Sequence, residues 1–177
     1  MKNTKSFEIL DSLPTYGPMH MSVTENNESY FSVGFPIRFY KTGKTNWVAN
    51  FEPGWTKLYG VYEFENKSEI IIIAGGKFYL MNPENEKPIE AFGGGFEALL
   101  KTEDGKIILQ DQTDLTIIES NGECWHTRRI SWDGIKDLNI KENSVFGLSY
   151  DPTNKNKEWV EFIVDLESRD VKGGSFY

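Results

Sequence analysis

The stretch from Glu69 to Pro83 constrains the fold of this chain most, because it has the pattern of a β-hairpin covered on both faces. Two apolar runs, Ile70 to Ala74 and Phe78 to Met81, flank the pair Gly75-Gly76. Adjacent glycines can adopt the positive φ angles that a two-residue type I′ or II′ turn requires. Both faces of the pair are then apolar, which predicts a central hairpin rather than an edge. The predicted register opposes large apolar residues: Ile73 with Phe78, Ile72 with Tyr79, and Ile71 with Leu80.

Length and composition indicate one all-β domain. The chain has 177 residues and a mass of 20.3 kDa, which fits a single domain over residues 1–177. Aromatic residues make up 14% of it, and the pleated surface of a strand suits aromatic and β-branched side chains. Residues 1–29 are polar and lack a sustained period, so they predict a partly irregular N-terminal arm with one short strand near Phe7 to Leu10.

Short strand patterns recur along the chain in groups of three or four. The segment Gly105 to Leu109 parallels Gly76 to Leu80, and a glycine triplet, Gly93 to Gly95, separates two of the groups. Units of about 30 to 45 residues with three or four strands are typical of propeller blades or of a related meander. The predicted fold is therefore an all-β antiparallel meander of repeated three- to four-stranded units, β-propeller-like or a related stack of sheets.

Two further hairpins are predicted from their turns. Asn121-Gly122 is the strongest two-residue hairpin signal; in that register Ile118 faces Trp125 and Ile117 faces His126. The segment Tyr30 to Tyr40 has the pattern of a long strand interrupted at Gly34 and Pro36, and a turn over residues 42–45 leads to a partner strand. Three aromatic residues at the end of that hairpin are expected to pack in the core: Trp47, Phe51 and Trp55.

The C-terminal third carries two resemblances. Ser131-Trp132-Asp133-Gly134 resembles the WD repeat signature but lacks an upstream Gly-His pair. The stretch from Trp132 to Ser175 has the pattern Trp132-Asp133-Gly134-Ile135, Tyr150-Asp151-Pro152, Trp159, Phe162 to Leu166 and Gly173-Gly174-Ser175. In this pattern it is similar to uncharacterised small bacterial all-β proteins with β-propeller-like repeat units. That similarity implies a grouping and no activity.

Net charge and the N-terminal sequence limit the classes of partner and the cellular compartment that we expect. The formal net charge is −8, which argues against nucleic acid because binding there neutralises phosphates with Lys and Arg; a basic protein partner is favoured instead. Met1 to Asp11 has no signal-peptide pattern and Cys124 is the only cysteine, so we expect a soluble cytoplasmic protein that does not enter a membrane. The sequence leaves the oligomeric state open.

Candidate chemistry is sparse. Cys124 and His126 stand two apart on a predicted strand, so a thiol and an imidazole share one face, but neither an orienting group nor an oxyanion pocket accompanies them. The only other histidine is His20, which makes a closed zinc site implausible. The glycine runs lack the spacing of phosphate loops. We therefore predict no catalytic residue, no metal and no cofactor.

Several acidic residues suggest glycan hydrolysis as an alternative function. Asp111, Asp114 and Glu119 are predicted near Arg128 and Arg129, and two carboxylates roughly 5 to 10 Å apart would suit glycoside hydrolysis. A surface salt-bridge cluster accounts for the same residues without chemistry.

The predicted binding surface lies around one hairpin end, where Trp and Arg, residue types that often dominate interface energy, are close in sequence. A second aromatic group in the first third is expected to be mostly core: Tyr16, Tyr40, Trp47, Trp55 and Tyr59. The leading hypothesis is a non-enzymatic protein-binding protein, in one version an immunity protein that neutralises a basic toxin. The alternatives are a glycan-directed hydrolase and a sugar-binding propeller-like domain. The predicted binding residues are Trp125, His126, Arg128, Arg129, Trp132 and Asp133.

Overall fold

The computed structural model describes residues 6–17, 19–41, 46–65 and 67–176. These residues form sixteen strands in four sheets of four strands each, and none of them forms a helix. This confirms the predicted all-β class and the repetition of four-stranded units. The chain divides into two compact units, Met1–Gly95 and Phe96–Tyr177, each of which contains two of the sheets.

The first unit contains a mixed sheet and a meander. The mixed sheet has the order β1-β3-β4-β2, with β2 parallel to β4, and the meander has the order β5-β6-β7-β8. The strands are β1 (Phe7–Ile9), β2 (Met21–Val23), β3 (Phe35–Phe39), β4 (Trp47–Phe51), β5 (Gly60–Glu63), β6 (Ile70–Ala74), β7 (Lys77–Met81) and β8 (Glu90–Gly93).

The predicted central hairpin is confirmed as β6 and β7. Gly75 and Gly76 have φ angles of 55° and 80°, which is the two-residue type I′ turn that adjacent glycines favour. The register pairs Ile73 with Phe78 and Ile71 with Leu80, as expected. All five residues of β6 are buried. Ile70, Ile72 and Ala74 belong to a core cluster that also contains residues of the mixed sheet, among them Phe39 and Phe51.

The N-terminal half differs from its prediction in two places. The strand expected over Tyr30 to Tyr40 is limited to Phe35–Phe39, because Asn50 binds the backbone on either side of Val33: its amide donates to the Ser32 carbonyl and its oxygen accepts from the Gly34 N–H, each at 2.9 Å. The strand Met21–Val23 was not predicted, since three residues show too little alternation. The turn expected over residues 42–45 lies outside the described residues.

The second unit contains two antiparallel meanders, with the orders β9-β10-β11-β12 and β13-β14-β15-β16. Consecutive strands pair throughout, which is the connectivity of a propeller blade. The strands are β9 (Ala98–Lys101), β10 (Ile107–Gln110), β11 (Leu115–Ile118), β12 (Cys124–His126), β13 (Ile135–Lys141), β14 (Ser144–Tyr150), β15 (Trp159–Asp165) and β16 (Val171–Gly173).

The predicted register of β11 and β12 is wrong by one residue. Ile117 pairs with Trp125 and Thr116 pairs with His126. The Gly122 N–H donates to the Glu119 carbonyl, and the Glu119 N–H donates to the Glu123 carbonyl, both at 2.8 Å. The loop therefore has three residues, a β-turn followed by Gly122 at a φ of 84°, the second common way in which Asn-Gly closes a hairpin.

Replacing Gly76 with Val should lower the free energy of unfolding by about 2 kcal/mol, because a β-branched residue resists the positive φ angle of the turn. Urea unfolding followed by circular dichroism measures the change. Gly76→Asn is the matched control and should lose much less, since Asn tolerates this region of φ and ψ. Equal unfolding midpoints for Gly76→Val and the wild type would contradict the assignment of a type I′ turn.

Candidate functional site

The residues that the sequence grouped into one binding surface are divided by the structure. Trp125 is 8% exposed and packs in the core cluster of the second unit. Its indole N–H donates to the Glu119 carboxylate at 2.8 Å, and the Arg169 guanidinium lies 5.2 Å from its ring centroid. The buried indole thus stabilises the second unit, with only its polar edge near the surface.

His126 is exposed on the opposite face of β12 from the Trp125 indole, because successive side chains of a strand alternate. Its Nδ1 lies 2.7 Å from the Thr116 hydroxyl, which fixes the ring orientation. Cys124, on the same face as predicted, is partly buried. Within the described residues, no group of three or more His, Cys, Asp or Glu side chains could hold a metal ion.

The other predicted residues gather around the C-terminal segment. Arg128 donates to the carbonyls of Gly173 at 2.8 Å and Phe176 at 2.9 Å. The Arg129 guanidinium lies 4.5 Å from the centroid of the Phe176 ring, which meets Trp132 edge to face at 4.7 Å. Trp132 is 41% exposed, and Asp133 beside it is exposed. The two arginines therefore hold the end of the chain against Trp132.

Replacing Arg128 with Ala should speed hydrogen exchange at the Ser175 and Phe176 amides, both of which donate to the Ile130 carbonyl. We expect a roughly 5- to 10-fold increase, equivalent to about 1 to 1.4 kcal/mol, because solvent exposure weakens these bonds below the roughly 1.5 to 3 kcal/mol typical of a charged donor. NMR exchange rates measure this effect, with Lys155→Ala in an exposed loop as the control. Unchanged exchange at both amides would show that Arg128 does not hold the C-terminal segment.

A polar cavity of about 530 Å³ lies in the second unit, beside the turns that follow β9 and β11. Lys106 bridges Asp104 and Glu119 there. Hydrogen bonds from Lys106 and then from Thr102 lower the pKa of the Asp104 carboxyl. Glu119 is at this end of the β10–β11 hairpin, whereas Asp111 and Asp114 form the turn at its other end. Of the acidic residues considered for hydrolysis, Asp111 and Asp114 therefore share one turn, and Glu119 is separated from them by the length of the hairpin.

Replacing Asp104 with Asn should lower stability at neutral pH by about 1 kcal/mol or less, because the ion pair is largely exposed. A carboxyl whose folded pKa is depressed stabilises the fold above its unfolded pKa of about 3.9, and that stabilisation disappears as pH falls through the folded value. The difference from wild type should thus vanish in strong acid. Urea unfolding between pH 2 and 7 measures the stability difference, with Asp133→Asn as control. If the difference did not depend on pH, it would not arise from the depressed pKa of Asp104.

Large apolar side chains are exposed in the first unit to an unusual degree. Trp55 is 94% exposed and Phe31 is 95% exposed, with Tyr16 and Met19 close to these values. The expectation that Trp47, Phe51 and Trp55 all pack in the core is wrong for Trp55, although the other two are buried. The expectation that the aromatic group of the first third is mostly core is also wrong, because Tyr16, Tyr40 and Tyr59 are exposed as well. Aromatic composition predicted packing, but composition does not show which side of the backbone a loop residue occupies.

A backbone framework holds Trp55 in place. The loop that follows β4 crosses the glycine turn of the β6–β7 hairpin, and a Cβ at Gly54 would lie 2.7 Å from the Gly75 carbonyl oxygen. Only glycine permits that approach. At the start of the loop, the buried Tyr79 hydroxyl donates to the Glu52 carbonyl at 2.7 Å. Four backbone hydrogen bonds complete the framework: Gly54 to Ala74 at 2.9 Å, Trp55 to Gly94 at 2.7 Å, Thr56 to Gly75 at 2.9 Å and Gly76 to Leu58 at 2.9 Å.

Phe31 is also presented by a fixed backbone. The Tyr30 N–H donates to the Ser22 hydroxyl at 3.0 Å, and that hydroxyl donates to the Tyr30 carbonyl at 3.1 Å. Asn50 binds the following residues, as described above, while its own side chain is completely buried. Phe31 and its exposed neighbour Val33 thus project from a segment whose backbone is tied to β2 and β4.

Comparison with known proteins provides little further information. No protein-family model and no curated protein matches the sequence. Among solved structures, the crystal structure of the N-terminal domain of Nup159 is similar at a TM-score of 0.43 and 11% sequence identity. The match covers 68% of this chain and 34% of that chain, so the present chain spans about a third of the neighbour's length. No helix among the described residues has the length and apolarity needed to cross a bilayer.

Proposed function

We propose that this chain is a non-enzymatic protein-binding protein that engages its partner through the exposed apolar side chains of the first unit, with Trp55 as the anchor. The observation that carries the proposal is the 94% exposure of Trp55 on a backbone framework of four hydrogen bonds. Trp is the residue type most enriched at the energetic centres of protein interfaces. Burial of this indole against a partner would remove a large apolar area from water.

The fixed loop supports binding in a second way. Association costs conformational entropy when loops and side chains become ordered at an interface. The Trp55 backbone is already fixed by its own bond to Gly94 and by those of the adjacent Gly54 and Thr56 to the hairpin, so only the side-chain torsions are lost on binding. A preorganised aromatic residue therefore contributes more of its burial energy to affinity than one on a mobile loop.

A basic partner is favoured by the charge of the chain. The net charge is −8, and the second unit has ten Lys and Arg against sixteen Asp and Glu. Such a field accelerates association with a positively charged protein. The specific version is a bacterial cytoplasmic immunity protein that covers the basic active site of a toxin. The single cysteine and the resemblance of Trp132 to Ser175 to small bacterial proteins support that version.

Three carboxyls of the second unit are unsuited to act as the general acid of a glycosidase. Hydrogen bonds lower the pKa of the Asp104, Asp151 and Asp165 carboxyls. A general acid in a glycosidase needs the opposite shift, so that it carries a proton near neutral pH. These three groups are therefore suited to capping turns and pairing with cations.

The test uses proteins encoded by the neighbouring genes, each co-expressed with this chain and then purified for isothermal titration calorimetry. Trp55→Ala should weaken the complex roughly 30- to 1,000-fold, the range of a central interface Trp, without changing the melting temperature. Raising the salt concentration should slow association with a basic partner. Trp132→Ala is the matched control, because it removes an exposed Trp from the second unit.

Two outcomes would overturn the proposal. If none of the neighbouring proteins forms a complex at low salt, the function as a binding protein of an adjacent gene product fails. If Trp132→Ala loses affinity and Trp55→Ala does not, the interface is the surface predicted around Arg128, Arg129 and Trp132 instead.

A further inference from the structure

The outer face of the last sheet contains a groove. All the residues that line it belong to the second unit, whereas Trp55 belongs to the first. The groove has a volume of about 570 Å³. Phe146 and Ile163 pair across β14 and β15, and Leu148 stands two residues along β14, so the three side chains share one face of the sheet. The alternate residues Val145, Phe162 and Val164 are buried in the core on the other face. The floor of the groove is thus a second apolar surface on a sheet whose inner face is already filled.

A β-bulge forms one wall of the groove. Between Lys136 and Asn139 the register of β13 against β14 shifts, and Asp137 has a φ of 55°. Leu138 turns inward beneath Gly147, where an added Cβ would lie 2.7 Å from Leu138 Cδ2 and 2.6 Å from Phe162 Cζ. Bulges of this kind redirect a side chain and occur preferentially near functional sites. A non-glycine residue held at positive φ is a further local feature that clusters at binding sites.

Charged residues surround the apolar floor. Asp137 and Glu161 line the groove together with Lys172. Glu161 is opposite Leu148 and Lys172 is opposite Ile163, so carboxylate and ammonium groups flank the apolar side chains directly. Within the described part of the chain, none of the three charged side chains forms an ion pair. Lys136 is also opposite Leu148, from the β13 side, but its Nζ lies over the Trp159 ring at 3.8 Å from the centroid. The residues that line the groove itself therefore carry two carboxylates against one ammonium.

We propose that this groove binds a segment of a partner polypeptide that places an apolar side chain on Phe146, Leu148 and Ile163 and a neighbouring Lys or Arg beside Asp137 and Glu161. This goes beyond the function proposed for Trp55, since the groove is in the second unit and is concave where Trp55 protrudes. Charge complementarity favours this occupant: the unit has an excess of acidic residues, and unpaired carboxylates border the apolar floor. An apolar floor with a few charged groups at its edge is the general form of a binding pocket.

The β-bulge explains how the groove combines an apolar floor with a charged rim. Continuing the register of Lys136 with Leu148 along a regular β13 would set Asp137 opposite Gly147, on the core face, and Leu138 opposite Phe146, on the face of the groove. The bulge places Leu138 in the core and leaves Asp137 at the groove. The backbone conformation that achieves this is unfavourable for most residues other than glycine. Asp and Asn tolerate it better than most, so Asn can replace Asp137 and remove the charge alone.

The experiment measures binding of three fluorescein-labelled nine-residue peptides by fluorescence anisotropy at low salt. One peptide alternates Leu with Arg, one alternates Ser with Arg, and one alternates Leu with Asp. We expect the Leu-Arg peptide to bind at least roughly fivefold more tightly than the other two. Only this peptide can place an apolar side chain on the floor and a cation beside the carboxylates of the rim. Chemical-shift changes in ¹⁵N-labelled protein should centre on Phe146, Leu148 and Ile163.

Variants separate the groove from general attraction to an acidic protein. Ile163→Ser and Asp137→Asn should each weaken binding of the Leu-Arg peptide roughly three- to tenfold. Ile89→Ser removes an exposed Ile from the first unit, and Glu158→Gln removes an exposed carboxylate from a loop of the second; both should leave binding unchanged. Glu161→Lys, at an exposed position, is the second rim variant and should reduce binding further.

The outcomes distinguish this groove from the Trp55 surface. The proposal would be overturned if the Ser-Arg and Leu-Arg peptides bound equally well, or if Glu158→Gln and Asp137→Asn lost equal peptide affinity. Either result would show that net charge alone drives the binding. Binding of a small apolar dye in the groove without binding of any peptide would also overturn it, in favour of a small-molecule site. Trp55→Ala should not change peptide affinity. Either proposal can therefore fail while the other stands.

Discussion

Burial of β6 on both faces is the constraint on which the first unit depends. Five consecutive apolar residues, Ile70 to Ala74, are withdrawn from water, and each buried Ile contributes on the order of 2 kcal/mol through the hydrophobic effect. A strand of this kind needs hydrogen-bonded neighbours on both edges, which β5 and β7 provide. It also needs a turn short enough to keep β7 in register. The type I′ turn at Gly75-Gly76 meets that requirement, because its twist matches that of the flanking strands.

The same turn positions Trp55. The backbone groups of a two-residue turn are not all used within its hairpin, and here the Gly75 carbonyl and the Gly76 N–H bind the loop that follows β4. Close approach is sterically permitted because Gly54, Gly75 and Gly94 lack side chains. A structural hairpin thereby becomes the support of an exposed indole. The hairpin that most constrains the fold is thus connected to the residue proposed for binding through the hydrogen bonds of Gly54 and Thr56, on either side of Trp55.

Local pattern was enough to predict most of the strands and the central register, because Gly-Gly and continuous apolar runs leave few alternatives. It was not enough at Asn121-Gly122, where two- and three-residue loops suit the same residues and differ by one position in register. The exposure of Trp55 could not be predicted either, since it depends on glycines at 75 and 94 that are distant in sequence. The bulge at Asp137 has no sequence signal at all; it follows from packing Leu138 beneath Gly147.

The two proposed binding surfaces differ in how they relate to stability. Trp55 is held by backbone bonds, and its side chain is almost entirely in solvent, so the residue can change without altering the core. The groove on the last sheet is shaped by Leu138, Gly147 and Phe162, and its geometry depends on core packing. A partner can therefore select different residues at position 55 while the fold is unaffected, whereas the floor and wall of the groove are constrained by stability as well as by binding. Sequence variation tolerated by the fold should consequently concentrate at the protruding site, since interiors packed at crystal density tolerate little change in volume.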